Sequence, residues 1–89
     1  MYEMLLTSQF RRDVKLMQKR CKDIGALKTV IEALAHGHTL SPTYKDHPLK
    51  GVFKDCRECH IEADWLLVYR IEGDVLQFVR TGTHSDLFR

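Results

Sequence analysis

The stretch from residue 52 to residue 81 limits the possible folds more than any other part of the chain. Three runs rich in β-branched, aromatic and aliphatic residues, Val52 to Ile61, Trp65 to Ile71 and Val75 to Thr81, are separated only by Glu62-Ala63-Asp64 and Glu72-Gly73-Asp74. Connections this short join antiparallel neighbours and cannot make a parallel crossover, so the runs predict a meander. In the central run Trp65, Leu67, Tyr69 and Ile71 share one face while Leu66 and Val68 share the other, making both faces of the sheet partly apolar. One face must be covered by other elements, and the other is free to form a concave site.

The cover comes from upstream. Tyr2, Met4 and Leu6 alternate with Glu3 and Thr7, a short strand with one face inward. Thr7 or Ser8 then caps a helix in which Phe10, Val14, Met17 and Cys21 recur at helical spacing, while Arg11, Arg12, Lys15, Lys19 and Lys22 fill the remaining arc. Asp23 caps a second helix whose Leu27, Val30, Ile31 and Leu34 form its buried stripe before Gly37 stops it. Two amphipathic helices in succession predict a helical hairpin. The expected fold class is therefore α+β: two N-terminal helices packed on a mainly antiparallel sheet of about four strands. With 89 residues there is one domain, residues 1–89, and no room for a second core.

Between the halves, His38 to Gly51 contains Ser41-Pro42, His47-Pro48 and Gly51, too many breakers for a regular element. Loops this long in small domains are functional or disordered, and Tyr44 and Leu49 argue for a docked, ordered one.

Charge and cysteine content narrow the partners and the compartment. The net charge is only +2, but seven of the fourteen Lys and Arg residues lie between Arg11 and Lys28, against Asp13 and Asp23 alone. Such a local excess favours a polyanion or an acidic protein partner. Three cysteines cannot close a disulfide framework, so Cys21, Cys56 and Cys59 are expected as thiols in a reducing compartment. No run reaches the roughly 20 apolar residues of a membrane span, and the N-terminus lacks the pattern of a secretory signal. A cytoplasmic location without membrane association is expected.

Three of the five histidines sit in segments suited to one reaction: Lys45-Asp46-His47-Pro48-Leu49-Lys50-Gly51, Cys59-His60-Ile61-Glu62-Ala63-Asp64-Trp65, and Thr81-Gly82-Thr83-His84. Imidazole gives or takes a proton near neutral pH, so converging imidazoles with a carboxylate point to acid–base chemistry. A lone loop histidine is ordinarily just polar surface. His36 and His38, flanking the helix stop at Gly37, are most simply residues that favour the negative end of a helix dipole. His60 and Asp64 are different, because they flank a tight turn, and His84 follows the last strand of the same meander.

Cys56-Arg57-Glu58-Cys59-His60 also matches the C-x-x-C-H pattern of covalent haem attachment. On a strand Cys56, Glu58 and His60 face one way and Arg57 and Cys59 the other, so the two thiols diverge and haem is disfavoured, a small haem or metal protein built on Cys56, Cys59 and His60 being the third reading. Zinc is disfavoured too, since a structural site needs four convergent ligands. No cofactor and no metal are expected.

Taken together, Tyr44 to Gly51, Cys59 to Tyr69 and Arg80-Thr81-Gly82-Thr83-His84-Ser85-Asp86-Leu87-Phe88 closely resemble the YafQ-type toxins of the RelE/ParE superfamily. Asp13 to Arg20 and Lys22-Asp23 resemble the first-helix region of the same family. The resemblance spans essentially the whole chain. It implies a RelE-like toxin fold and the toxin of a bacterial type II toxin-antitoxin system, an endoribonuclease that cuts mRNA in the ribosomal A site. Implied partners are a cognate antitoxin, the ribosome with its rRNA and mRNA, and operator DNA only through the antitoxin complex. By matching positions the catalytic set is His47, His60, Asp64 and His84, with Phe88 near the bound RNA. Phe88 then stacks on a base or docks the tail onto the sheet, and Arg57 and Arg80 contact phosphate. Arg11, Arg12, Lys15, Lys19 and Lys22 meet the ribosome. The chemistry expected is metal-independent attack by the RNA 2′-OH, with His and Asp as proton carriers. Because the superfamily also holds ParE proteins, the alternative is a non-catalytic inhibitor of gyrase or another protein.

Overall fold

The computed structural model describes residues 1–88 and has the order β1 (Glu3–Leu6), α1 (Ser8–Lys19), α2 (Ile24–Ala35), β2 (His47–Pro48), β3 (Arg57–Glu62), β4 (Trp65–Glu72), β5 (Val75–Gly82) and α3 (His84–Leu87). The strands form one sheet in the order β1-β5-β4-β3-β2. The predicted meander is its centre, with Cys59 opposite Leu67 and Leu67 opposite Thr81. The α+β class holds, with five strands in place of about four. The addition is β2, a two-residue strand inside the long loop, where His47 pairs with Glu58 and Pro48 with Arg57. β1 runs parallel to β5, because α1 and α2 intervene in the chain between β1 and the meander.

Alternation along β4 splits the interior in two. Trp65, Leu67 and Tyr69 join Phe10, Met17, Leu27, Val30 and Phe78 beneath the helices. Leu66 and Val68 point the other way, into a smaller cluster with Cys56, Leu87, Leu49 and Phe53. All five β4 residues from Trp65 to Tyr69 are at most 1% exposed. At about 1.5–3 kcal/mol for each fully buried large apolar side chain, the strand is the main hydrophobic anchor.

Capping follows the sequence. Thr7 accepts the Phe10 N–H at 2.9 Å and donates to the Val79 carbonyl at 2.8 Å, tying the start of α1 to β5. Val79 is the extra residue of a bulge: Tyr69 pairs with Phe78 and Val68 with Arg80. Asp23 caps α2, and Gly37 leaves it with φ +75°. Beyond the end of β1, α1 covers the free edge of β5. There the buried Asp13 carboxylate accepts the Thr81 N–H at 3.1 Å and takes Arg80 Nε and Nη2 at 2.7 and 3.1 Å.

Four local expectations are corrected. Cys21 lies beyond α1 in left-handed backbone and is exposed, and it is Asp13, satisfied by those donors, that the helix buries beside Phe10 and Met17. β1 turns no face fully inward: Met4 and Leu6 are 48% and 42% exposed, since an edge strand has a neighbour on one side only. The run from Val52 begins as a 3-10 turn, with Val52 at 98% exposure, and β3 starts at Arg57. A short third helix follows β5. Cys56, just before β3, and Cys59 within it diverge as expected: Cys56 lies in the smaller cluster and Cys59 in the larger, where burial pushes its thiol up to about 12. No helix among the described residues is long and apolar enough to cross a membrane.

Candidate active site

Each histidine is placed by a separate local device. His60 is on β3, two residues after Glu58 and therefore on the same face, the one away from α1 and α2. His47 is the direct β2 partner of Glu58, which brings the loop ring over that carboxylate. The loop is held by more than its prolines. Asp46 accepts the Tyr69 hydroxyl at 2.6 Å and Arg57 Nε at 3.1 Å, and the Leu49 N–H donates to the Cys56 carbonyl. Burial, then the bond to Asp46, drives the Tyr69 hydroxyl's pKa well above its ordinary value, so it stays a donor. Lys45 takes left-handed backbone, φ +50°, and its carbonyl lies 2.6 Å from His47 Nδ1.

The Thr81-Gly82-Thr83-His84 motif is a helix-starting device. Thr81 is buried, accepts Trp65 Nε1 at 2.9 Å and donates to the Leu66 carbonyl at 2.7 Å. Gly82 allows close packing, since a Cβ there would lie 3.0 Å from Asp86 Cβ. Thr83 and Asp86 form a reciprocal capping box for α3, whose first residue is His84. Arg20 from the end of α1 reaches Asp86 at 2.8 Å and holds that carboxyl down at about 2. Asp64, on the β3–β4 turn, accepts both the backbone N–H of His84 at 2.9 Å and its Nδ1 at 2.6 Å. The backbone bond first, then the ring bond, lowers the Asp64 pKa. Asp64 thus orients an imidazole.

The three segments converge. Ring centroids of His47 and His60 are 6.4 Å apart, those of His60 and His84 5.9 Å, and those of His84 and Phe88 6.3 Å. Glu58, 4% exposed, lies between the first two, with His47 Nε2 at 3.3 Å and His60 Nε2 at 3.7 Å. His47 and His84 are about half exposed and His60 is mostly covered, so a floor carboxylate is overlaid by rings open to solvent. Phe88 meets Phe53 edge-on at 5.5 Å and remains 42% exposed: it both docks the tail and offers a face. A cleft of about 520 Å³ between the Thr43-Tyr44-Lys45 turn and the segment from His60 to Ala63 opens beside His60. Ligand atoms of Glu58, His60 and His84 all lie within 4.8 Å of one another, a spacing that can accept a metal ion.

The remaining candidates lie outside the cluster. Arg80 is turned to Asp13 at the edge of β5, and Arg57 to Asp46. Arg11, Arg12, Lys15 and Lys19 are exposed on α1, while Lys22 faces Glu62 at 3.4 Å. Nothing in the sequence pattern marks Glu58 as a site residue beyond its spacing to His60, and its pairing with His47 is tertiary. Asp46 was likewise invisible as an anchor.

The chain has counterparts of known sequence and structure. A family model described as "Bacterial toxin of type II toxin-antitoxin system, YafQ" matches residues 2–89. The mRNA interferase toxin YafQ of Escherichia coli strain K12 is 46% identical over 83 residues, covering 92% of this chain and 90% of the relative. The crystal structure of YafQ from E. coli BL21(DE3) superposes with a TM-score of 0.95 at 41% identity, covering all of both chains. The toxin in the E. coli DinJ-YafQ complex gives 0.94 at 42% identity, again over both whole chains. The chain therefore belongs to the YafQ family of type II toxin-antitoxin toxins.

Proposed function

We propose that this toxin is a ribosome-dependent, metal-independent mRNA endoribonuclease that uses the RNA 2′-OH as nucleophile, and that a cognate antitoxin neutralises it. The observation that carries this reading is the convergence of His47, His60 and His84, from three distant segments, over one buried carboxylate. The interferase name of the 46%-identical relative agrees with it, and the DinJ-YafQ complex supports an antitoxin partner.

Cleavage of this kind needs a base for the 2′-OH, an acid for the departing 5′-oxygen and positive charge for the crowded phosphate. His84 suits the base: its Nδ1–H points at Asp64, an acceptor only, which leaves Nε2 with a free lone pair. His47 suits the acid, because both of its nitrogens face acceptors, the Lys45 carbonyl and the Glu58 carboxylate. His60, between them, sits where a phosphate would lie, and Phe88 offers a stacking face at the end of the row. The products are a 2′,3′-cyclic or 3′-phosphate and a 5′-hydroxyl. The base, acid and stacking groups all belong to this chain, while the exposed cations of α1 supply salt-sensitive attraction to rRNA. Arg57 and Arg80 reach phosphate only by leaving their present carboxylate partners.

The test is purified protein added to programmed ribosomes, with mRNA ends mapped in the presence and absence of EDTA. Cleavage in the A site, unchanged by EDTA and leaving 5′-hydroxyl ends, is expected. A folded protein that binds ribosomes without cutting, or that blocks gyrase supercoiling instead, overturns the reading.

A further inference from the structure

The cleft beside His60 has no part in the proton transfers assigned above, yet it lies in a definite place relative to them. β2 is two residues long, so it covers the outer edge of β3 only at Arg57 and Glu58. Beyond them the Thr43-Tyr44-Lys45 turn stands off the strand, and the gap between it and residues 60–63 is the cleft of about 520 Å³. Among the described residues, none from β4, β5 or α3 lines it. In the sheet order it therefore lies on the β2 side of β3, the side of His47, whereas His84 and Phe88 follow β5, two strands the other way.

Its lining has the make-up of a nucleobase pocket. Tyr44 and Ile61 are half-buried and pack on the large core, which gives the cleft two apolar walls that are held in place. Around them Thr43 carries a hydroxyl, Lys45 an ammonium with no ion pair among the described residues, and Glu62 a carboxylate 3.4 Å from Lys22. A base is a flat apolar plate with donors and acceptors on its rim. Single-stranded RNA is read by splaying such plates against aromatic side chains and hydrogen-bonding their edges. Pockets for small organic molecules span about 300–1,000 Å³, so the volume suffices for one base.

Strand direction follows from the chemistry. Displacement at phosphorus sets the attacking and leaving oxygens in line, on opposite sides of the phosphorus. His84 takes the 2′-OH proton as the new oxygen–phosphorus bond forms, and His47 gives a proton to the 5′-oxygen as its bond to phosphorus breaks. The nucleotide that supplies the 2′-OH therefore lies toward His84 and Phe88, and the one that departs with the 5′-oxygen lies toward His47. Lys45 ties the cleft to that second side, because its carbonyl is the 2.6 Å partner of His47 Nδ1. We propose that the cleft receives the base on the 3′ side of the cut, so that RNA crosses the site from Phe88, propped edge-on by Phe53, to Tyr44. The inference rests on the nuclease reading given above. It adds the direction of the strand and names Thr43, Lys45 and Glu62 as the side chains that choose the base after the cut.

The test uses the full-length toxin on programmed ribosomes whose mRNA is 2′-O-methylated along the A-site codon, so that it cannot be cut. A single 4-thiouridine is placed at each codon position and at the following nucleotide in turn, and cross-linked peptides are read by mass spectrometry. One position is expected to link to the peptide bearing Phe88, and the position immediately 3′ of it to the peptide bearing Thr43-Tyr44-Lys45 or residues 61–63. On unmodified mRNA, Thr43→Val and Glu62→Gln, both at exposed positions, should each change the kcat/KM ratio between bases 3′ of the cut by about three- to tenfold. The ratio between bases on the 5′ side should stay as in wild type. Cross-links in the reverse order, none to the cleft, or an unchanged 3′ preference in both variants would each overturn the subsite. Cross-links in the expected order without cutting of unmodified mRNA overturn the nuclease reading and leave the cleft as a base-binding site, so the two fail separately.

Discussion

The two faces of β4 are made of the same residue types and serve different ends. Beneath the helices Trp65, Leu67 and Tyr69 meet two long amphipathic elements in a wide core. On the opposite face Leu66 and Val68 meet a small cluster roofed by loop residues Leu49 and Phe53 and by Leu87 of α3. The large core makes the sheet rigid, and the small one fastens two short segments that carry His47 and His84. A cluster of functional side chains can be assembled from short segments when the strand beneath them is anchored from the other side.

Substitutions on the two faces should therefore separate stability from chemistry. The largest effect is expected at the site: His84→Ala or His60→Ala should slow ribosomal cleavage by about 10²- to 10⁴-fold, the usual worth of a positioned acid or base, with the urea midpoint unchanged. A matching loss of stability would make these residues structural and erase the contrast. Leu67→Ala, on the helix face, should cost about 2–5 kcal/mol in urea unfolding, while the protein that remains folded cleaves normally.

A smaller effect should link the two. Asp46→Ala removes the acceptor of the buried Tyr69 hydroxyl and frees the loop bearing His47. It should cost about 1–3 kcal/mol and slow cleavage together, checked by denaturation and rate measured on one preparation. If only stability moves, β2 pairing alone positions His47. The smallest effect concerns acid. Because Asp86 is held down at about 2, chiefly by Arg20, its ionised form contributes stability that is fully present above the unfolded carboxylate value near 4. That contribution is lost as pH falls from about 4 toward 2, and because its main partner Arg20 is open to solvent it is small. The wild-type thermal midpoint should fall more than that of Asp86→Asn across this range.

Most of the local rules hold, with Cys21 and Val52 as exceptions. Thr7 and Asp23 cap the helices, Gly37 ends the second, the short turns make the meander, and alternation sends Cys56 and Cys59 to opposite faces. The larger misses fall where partners are remote. Asp13 is charged yet buried, and beside the local donor Gln9 the groups that satisfy it, Arg80 and the Thr81 N–H, are 67 and 68 residues away. Glu58 and Asp46 are unremarkable in the chain and become central only through β2 and Tyr69. The three histidine segments were legible as candidates, and their assembly was not.

What the chain alone determined is its class of elements, the two-sided apolar character of β4 and the short motifs that bear imidazole. These depend on periods of two and 3.6 residues and on caps within four residues, interactions that close inside a local segment. What only the tertiary structure decided is which carboxylate each imidazole faces, which edge of the sheet is left open and which arginines are already engaged. Those depend on contacts across tens of residues, formed only once burial has brought the strands and helices together, so no local pattern encodes them.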